Sequence, residues 1–315
     1  MEIHALEEVD KPVAELQEQV EPDLLARDNV VGVGVGRKIR ALHDTGEPCL
    51  TVFVSRKLPL EALTESARVP KSLKHCKTDV VEIGEIRAGD ALDARPTARR
   101  ESPACGGLSV GHLDASAGTL GAAAIDRDAY PGMPPRYYLL SSNHVLAHAN
   151  AAKLGDPVLQ PAPLDGGVAP SDVIGRLARY VTLSFDGEPN FVDAAVAEVA
   201  FDAIDRRIHW IGFAREVSAR ARIGQLLQKT GRSSGFTTGL VQAVNVSLTV
   251  HYPGKTALFV RQIIAAKLSL PGDSGSVVLD MQARPVGLLV AASERASVLS
   301  PMGYVESLLA IKVGF

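Results

Sequence analysis

The sequence predicts a mainly β chain preceded by a small α+β unit. From Gly106 onward, short runs rich in valine, threonine and leucine follow one another at turn-punctuated intervals, and 28 glycines and 19 prolines supply the turns. The leading unit is predicted by apolar residues at helical spacing followed by three strand-like runs, all before residue 90. A length of 315 residues allows about two domains. With 46% apolar and 22% charged residues the chain can bury real cores and is not a disordered composition. A net charge of −3 gives no overall attraction to nucleic acid or anionic lipid, so neither is expected as a partner.

In the leading unit, Leu6, Val9, Val13, Leu16, Val20 and Leu24 lie on one helical face, while Pro12 and Pro22 suggest one or two short helices. Strands are expected at Asn29–Ile39, Leu50–Ser55 and Asp79–Ile86, with a hairpin turn at Asp44-Thr45-Gly46 and a helix plus loop in LPLEALTESARVPKSL. Gly32, Gly34 and Gly36 sit inside an alternating strand and do not open a helix, so they mark close backbone approach and not a phosphate loop. The expected organisation is an α+β domain over 1–90, a proline-containing linker over 91–106 with Arg95, Arg99 and Arg100, and a β domain over 107–315. Val305, Leu308, Leu309 and Val313 predict a short C-terminal helix.

Three segments carry chemistry. In Pro271-Gly272-Asp273-Ser274-Gly275-Ser276, a serine follows a glycine by two positions. Serine attacks well only if its proton is removed, and the oxyanion it creates needs converging N–H donors. Ser274 is the candidate nucleophile, and the amides of Gly272 and Ser274 are the candidate oxyanion hole. In LSSNHVLA an apolar strand ends in small polar residues before His144, a position where a base is held yet can reach a proton; His148 and His251 lack that context. In NFVDAAVA, Asp193 enters an apolar run, where a buried carboxylate needs a partner such as a histidine Nδ1–H. Asp156, Asp172 and Asp202 lie in more turn-like surroundings. His144 and His148 have H-x-x-x-H spacing, but Val145 stands where a metalloprotease has glutamate, and the cysteines form no C-x-x-C pair; neither metal nor cofactor is expected.

Residues 117–292 resemble a chymotrypsin-family serine peptidase. GTLGAAAI, SSNHVLA, FVDAAVA, KTGR with TTG, SLPGDSGS and PVGLLVAAS resemble, in turn, the opening strand of the first barrel, the histidine motif, the aspartate strand, the start of the second barrel, the nucleophile motif and the strand walling the substrate cleft. The wording is closest to disulfide-poor bacterial members and to plant narrow-leaf type proteins. The resemblance implies a chymotrypsin-like double β-barrel with the site between two perpendicular six-stranded barrels. It also implies a pocket with Leu268 at its base and Ala291, Ala292 and Ser293 along its wall, disfavouring Arg and Lys substrates. Trypsin's free N-terminal amine, which pairs with the aspartate before the nucleophile, has no equivalent here, so Asp273 is expected to lack that partner.

The expected function is a serine endopeptidase acting on protein or peptide substrates through His144, Asp193 and Ser274. The arginine-bearing stretch is read first as a solvated basic linker with no further role, and the alternative to that is regulation, by the N-terminal domain or by an upstream activating protease that cuts the linker. A catalytically inactive peptide-binding module is the alternative; an esterase ranks lower, because the G-x-S-x-G elbow is missing. Cys49, Cys76 and Cys105 are too few for the disulfide framework of secreted relatives, Met1–Val20 lacks the features of a signal peptide, and no apolar run is long enough to span a membrane, so a cytoplasmic location is expected.

Overall fold

The computed structural model describes residues 6–40, 43–88, 96–115, 117–128 and 135–315. The chain is mainly β. One eight-stranded sheet runs in the order Ile311–Val313, Ala122–Asp126, Tyr137–Ser141, Ala195–Val199, Val173–Tyr180, Pro157–Leu159, Ser109–His112, Gly118–Thr119. In a second sheet, six strands close on themselves: Leu226–Gly231, Val277–Asp280, Pro285–Ala292, Ala296–Pro301, Lys255–Ala266 and Gly235–Tyr252, the last pairing back to the first. Closure removes the exposed edges a six-stranded sheet would otherwise present.

The leading unit continues that second sheet. Val30–Arg40 pairs antiparallel with Gly235–Tyr252, Gly32 opposite Leu248 and Gly36 opposite Ala243, and His43–Val54 and Cys76–Glu82 follow outward. The expected division at 91–106 is therefore not a break in backbone pairing between residues 30–82 and the later strands. The glycines explain the closeness: a Cβ at Gly34 would lie 2.5 Å from Val246 Cγ2. One helix, Lys11–Leu25, covers the junction, its Val13, Leu16 and Leu24 packing with Val33, Val241, Ile263 and Leu268. It is continuous where two helices were conceivable: Pro12 falls in the first turn, where no N–H is needed, and Pro22, which cannot donate to the carbonyl four residues before it, lies so near the end that only Asp23, Leu24 and Leu25 follow.

Several local expectations are corrected. Asp44-Thr45-Gly46 is not the turn of the first hairpin: it lies within the strand His43–Val54, where Asp44 pairs with Ile39. In place of a helix, LPLEALTESARVPKSL forms two three-residue turns with no buried residue, Leu60–Ala62 and Glu65–Ala67, and a two-residue strand, Ser72–Leu73; only Val69 and Leu73 of this segment pack against the core beneath the N-terminal helix. The C-terminal helix, Met302–Leu309, stops at Ala310 in a left-handed conformation, and Val313 belongs to the strand that follows. Of the linker arginines, Arg95 lies outside the described residues. Arg99 and Arg100 expose their side chains, but Gln160 holds this backbone at both Arg99 O (2.8 Å) and Glu101 N (3.1 Å), and Thr97 is buried with its hydroxyl on Arg232 O. All three cysteines are free and buried. No helix among the described residues is long and apolar enough to cross a membrane.

Candidate active site

Sheet register brings His144 and Asp193 together. Ala195 pairs with Ser141, so Asp193, two residues before one strand, and His144, three residues after the other, lie at the same sheet end. His144 sits in the short helix Asn143–Leu146, and Asn143 fixes this turn by donating to Val181 O at 2.7 Å and to Asn150 Oδ1 at 2.9 Å. The His144 ring then reaches Asp193: Nδ1 lies 2.5 Å from Oδ2, and the His144 amide donates to Oδ1 at 3.1 Å. A carboxylate only accepts, so Nδ1 carries a proton, and in the neutral ring Nε2 is the nitrogen with the lone pair. That Nε2 is buried and has no hydrogen-bond partner among the described residues.

Asp193 is fully buried. Burial alone would raise its carboxyl pKa, but the nearby His144 and the hydrogen bonds from His144 and Tyr252 hold it below the ordinary value. Tyr252, at the end of its long strand, donates to Oδ2 at 2.8 Å, and its own phenol is pushed well up by burial and then by the Asp193 charge. Tyr252 escapes sequence reasoning because no local pattern marks it.

The loop Pro271-Gly272-Asp273-Ser274-Gly275-Ser276 is held against the turn that carries His144 by small residues of the first sheet. A Cβ at Gly118 would lie 2.4 Å from Val145 Cγ2 and 3.0 Å from Ser274 O, so only glycine lets these segments meet. Thr119 donates its amide to Ser274 O at 2.8 Å and its hydroxyl to Gly272 O at 3.0 Å. Within the loop, the amides of Asp273 and Gly275 are used by Leu270 O and Leu289 O, whereas those of Gly272 and Ser274 meet no acceptor among the described residues. Gly272 has φ +96°, a conformation that favours glycine. The Ser274 hydroxyl donates to Val290 O at 3.2 Å, so in this state it is not bonded to His144.

Asp273 has its partner after all. Lys229, fully buried like Asp273, donates to Oδ2 at 2.8 Å, and four further donors converge from Ser233 N, Ser234 N, Ser234 Oγ and Leu270 N. Burial lowers the Lys229 pKa and the Asp273 charge opposes that. A cation from within the β domain thus occupies the place where a free N-terminal amine was looked for. The KTGR motif contained this residue; only the fold reveals what its ammonium meets.

The pocket beside Ser274 has a volume of about 530 Å³ and is walled by Leu289, Ala291, Ala292 and Ser293. Leu268 is not at its base. It packs instead into the core under the N-terminal helix, and its neighbours Lys267, Ser269 and Leu270 line the pocket. The strand Lys255–Ala266 ends two residues before Leu268, so a count back from Ser274 crosses irregular chain in which no alternation fixes which side chains face the pocket. The inference against Arg and Lys therefore loses its premise. Glu101, Cys105 and His209 offer ligand atoms within 4.8 Å of one another. Glu101 is ion-paired with Arg99 at 3.2 Å, and burial pushes the Cys105 thiol up to about 11. None of His144, Asp193 and Ser274 belongs to that group.

No protein-family model matches the chain, and no curated protein matches it in sequence. Among solved structures it is similar to Thermobifida fusca Protease A, with a TM-score of 0.47 and 14% identity over 66% of this chain and 97% of that one. For a Nocardiopsis protease the TM-score is 0.46 and the identity 17%, covering 67% of this chain and 98% of the other. For Cellulomonas bogoriensis chymotrypsin the TM-score is 0.44 and the identity 16%, covering 66% and 97%. The chain is mainly β, with one N-terminal helix, and the solved structures it is similar to are bacterial proteases.

Proposed function

We propose that this chain is a serine endopeptidase in which Ser274 attacks the carbonyl of a peptide bond, His144 takes and returns the proton, and Asp193 orients the histidine. The observation that carries this reading is the buried, partnerless Nε2 of His144, held by a 2.5 Å contact from the other ring nitrogen to a fully buried carboxylate. Leaving a buried polar atom unpaired is costly in a resting fold and is what a base awaiting a proton requires. The two unpaired amides of Gly272 and Ser274 match the donor requirement of the tetrahedral oxyanion. Rotation of the Ser274 hydroxyl away from Val290 O toward Nε2 is the first step; Oγ adds to the carbonyl as its proton passes to Nε2, the C–N bond breaks as that proton goes to the leaving amine, and a water deprotonated by Nε2 then hydrolyses the acyl-enzyme and restores Ser274.

Protein or peptide substrates are the proposed partners, and the three free, buried cysteines fit a reducing compartment such as the cytoplasm. Cleavage after Arg99 or Arg100 by another protease is not needed to supply Asp273 with an amine, since Lys229 already does so. The inactive-module reading draws on the Ser274–Val290 bond alone. One experiment separates the two: a fluorophosphonate should label the parent chain at Ser274 and not Ser274→Ala, and peptide hydrolysis should fall by several orders of magnitude, to about 10³ above the uncatalysed rate at most. An unlabelled parent chain, or hydrolysis at the parental rate by Ser274→Ala, rules out the peptidase assignment.

A further inference from the structure

The edge of Pro285–Ala292 that leads to Ser274 is already occupied. Arg87 donates its amide to Ala292 O at 2.9 Å and accepts from Ala292 N at 3.0 Å, a reciprocal antiparallel pair. On its other side the segment bonds His251, through Ala88 N to His251 O and His251 N to Ile86 O, both 3.1 Å. Ile86 anchors it, fully buried in a cluster with Val290 and Ala291, while the Arg87 side chain is exposed and paired with Glu85. Gly84, Glu85 and Arg87 also line the pocket that contains Ser274.

The chemistry of this edge is that of strand addition: an extended peptide offers its own N–H and C=O to Ala292, whatever its side chains. Antiparallel pairing at Ala292 directs a chain running from Arg87 toward Val290, whose carbonyl holds the Ser274 hydroxyl. We infer that Ile86–Ala88 is an intramolecular strap that occupies the peptide-binding edge of the site, so that an extended peptide must displace it before it can bind. The inference rests on the peptidase reading for its consequence in catalysis, but the occupancy of the edge does not depend on it. A substrate too short to reach Ala292 does not compete with the strap. For an extended one, the apparent affinity is reduced by the fraction of molecules with the edge open.

Arg87→Pro removes the N–H donated to Ala292 and leaves the chain otherwise whole. It should lower KM for an extended fluorogenic peptide about fivefold relative to KM for a short p-nitrophenyl ester, the worth of roughly one backbone hydrogen bond. Arg87→Ala, which keeps both backbone groups, should not reproduce that change of ratio. An unchanged or raised ratio in Arg87→Pro overturns the strap. A second test needs neither turnover nor the proline variant: in Ser274→Ala, a saturating extended peptide should speed amide exchange at Arg87 about tenfold while Ala292 stays protected, because its partner is exchanged and not lost. Binding that leaves Arg87 protected, or no binding at millimolar peptide, overturns the strap. Failure of the parent chain to hydrolyse either substrate overturns the peptidase reading alone, and the exchange experiment still decides the strap.

Discussion

Replacing Lys229 by methionine tests whether a buried cation sets the nucleophile loop. Both members of the Lys229–Asp273 pair are fully buried and 2.8 Å apart. Methionine keeps much of the stem volume and removes the charge, leaving the Asp273 carboxylate without a cation. Removing one partner of a buried pair costs about 3–5 kcal/mol. Asp273 would keep its four other donors, from Ser233, Ser234 and Leu270, so the lower end, about 3 kcal/mol, is expected. The same loop carries the Gly272 and Ser274 amides, and losing one well-placed oxyanion donor costs about 10²–10³ in kcat. Urea unfolding followed by fluorescence reads the first effect, and the initial rate of peptide hydrolysis the second. The double variant Lys229→Met with Asp273→Asn should regain only part of the stability and remain slow: no charge is then stranded, but the new amide NH2 faces N–H donors that both carboxylate oxygens had accepted. Parental stability and parental kcat in Lys229→Met would refute the idea that this pair holds the loop.

Asp193→Asn should lower kcat by about 10⁴ with the fold intact, by favouring the wrong histidine tautomer; the same loss from Asp172→Asn, with Asp193→Asn active, would refute the assignment. Because the Asp193 carboxyl is held below its ordinary value in the fold, its stabilisation is full above about pH 4 and is lost as pH falls through the lowered folded value. Acid titration of the unfolding free energy should therefore be shallower in Asp193→Asn than in the parent, and equal slopes would contradict this. Tyr252→Phe removes one donor from Asp193 Oδ2, so the acid limb of stability should move to higher pH; an unmoved limb means that the phenol does not stabilise the anion. Gly272→Ala forces a β-carbon onto φ +96°, so it should lower the unfolding free energy by about 1–3 kcal/mol and cut kcat about 10²-fold under conditions where the variant is still folded; a parental kcat would show that this amide is not a donor to the oxyanion.

The local signals at the site were legible because each states its own chemistry. A small-polar stop after an apolar strand marked His144, a carboxylate entering an apolar run marked Asp193, and a glycine before an aspartate and serine marked the loop. The partners supplied by distant strands were not legible. Tyr252 and Lys229 reach Asp193 and Asp273 across 59 and 44 residues of chain, and no periodicity encodes such a meeting. Leu268 was misplaced because a position counted back from the nucleophile fixes distance along the chain but not which way the side chain faces. VVGVGVGRK was readable as a strand, and its glycines as sites of close approach, yet nothing in it says that the approaching backbone is Gly235–Tyr252. The strap is hidden for the same reason: Arg87 acts through its backbone, which every residue type shares.

The shared sheet has a practical consequence for anyone trimming the chain. Residues 107–315 look like a self-sufficient unit, but cutting away what precedes them would uncover the Ala243–Leu248 stretch that Val30–Arg40 now pairs with. It would also bare Val241, Val244, Ile263 and Leu268, which Leu16, Leu24, Val33 and Val35 now cover. An apolar face bordered by unsatisfied N–H and C=O groups is a template for a second copy of the same chain. Such a fragment would be expected to self-associate edge to edge and precipitate, for a reason unrelated to its catalytic groups.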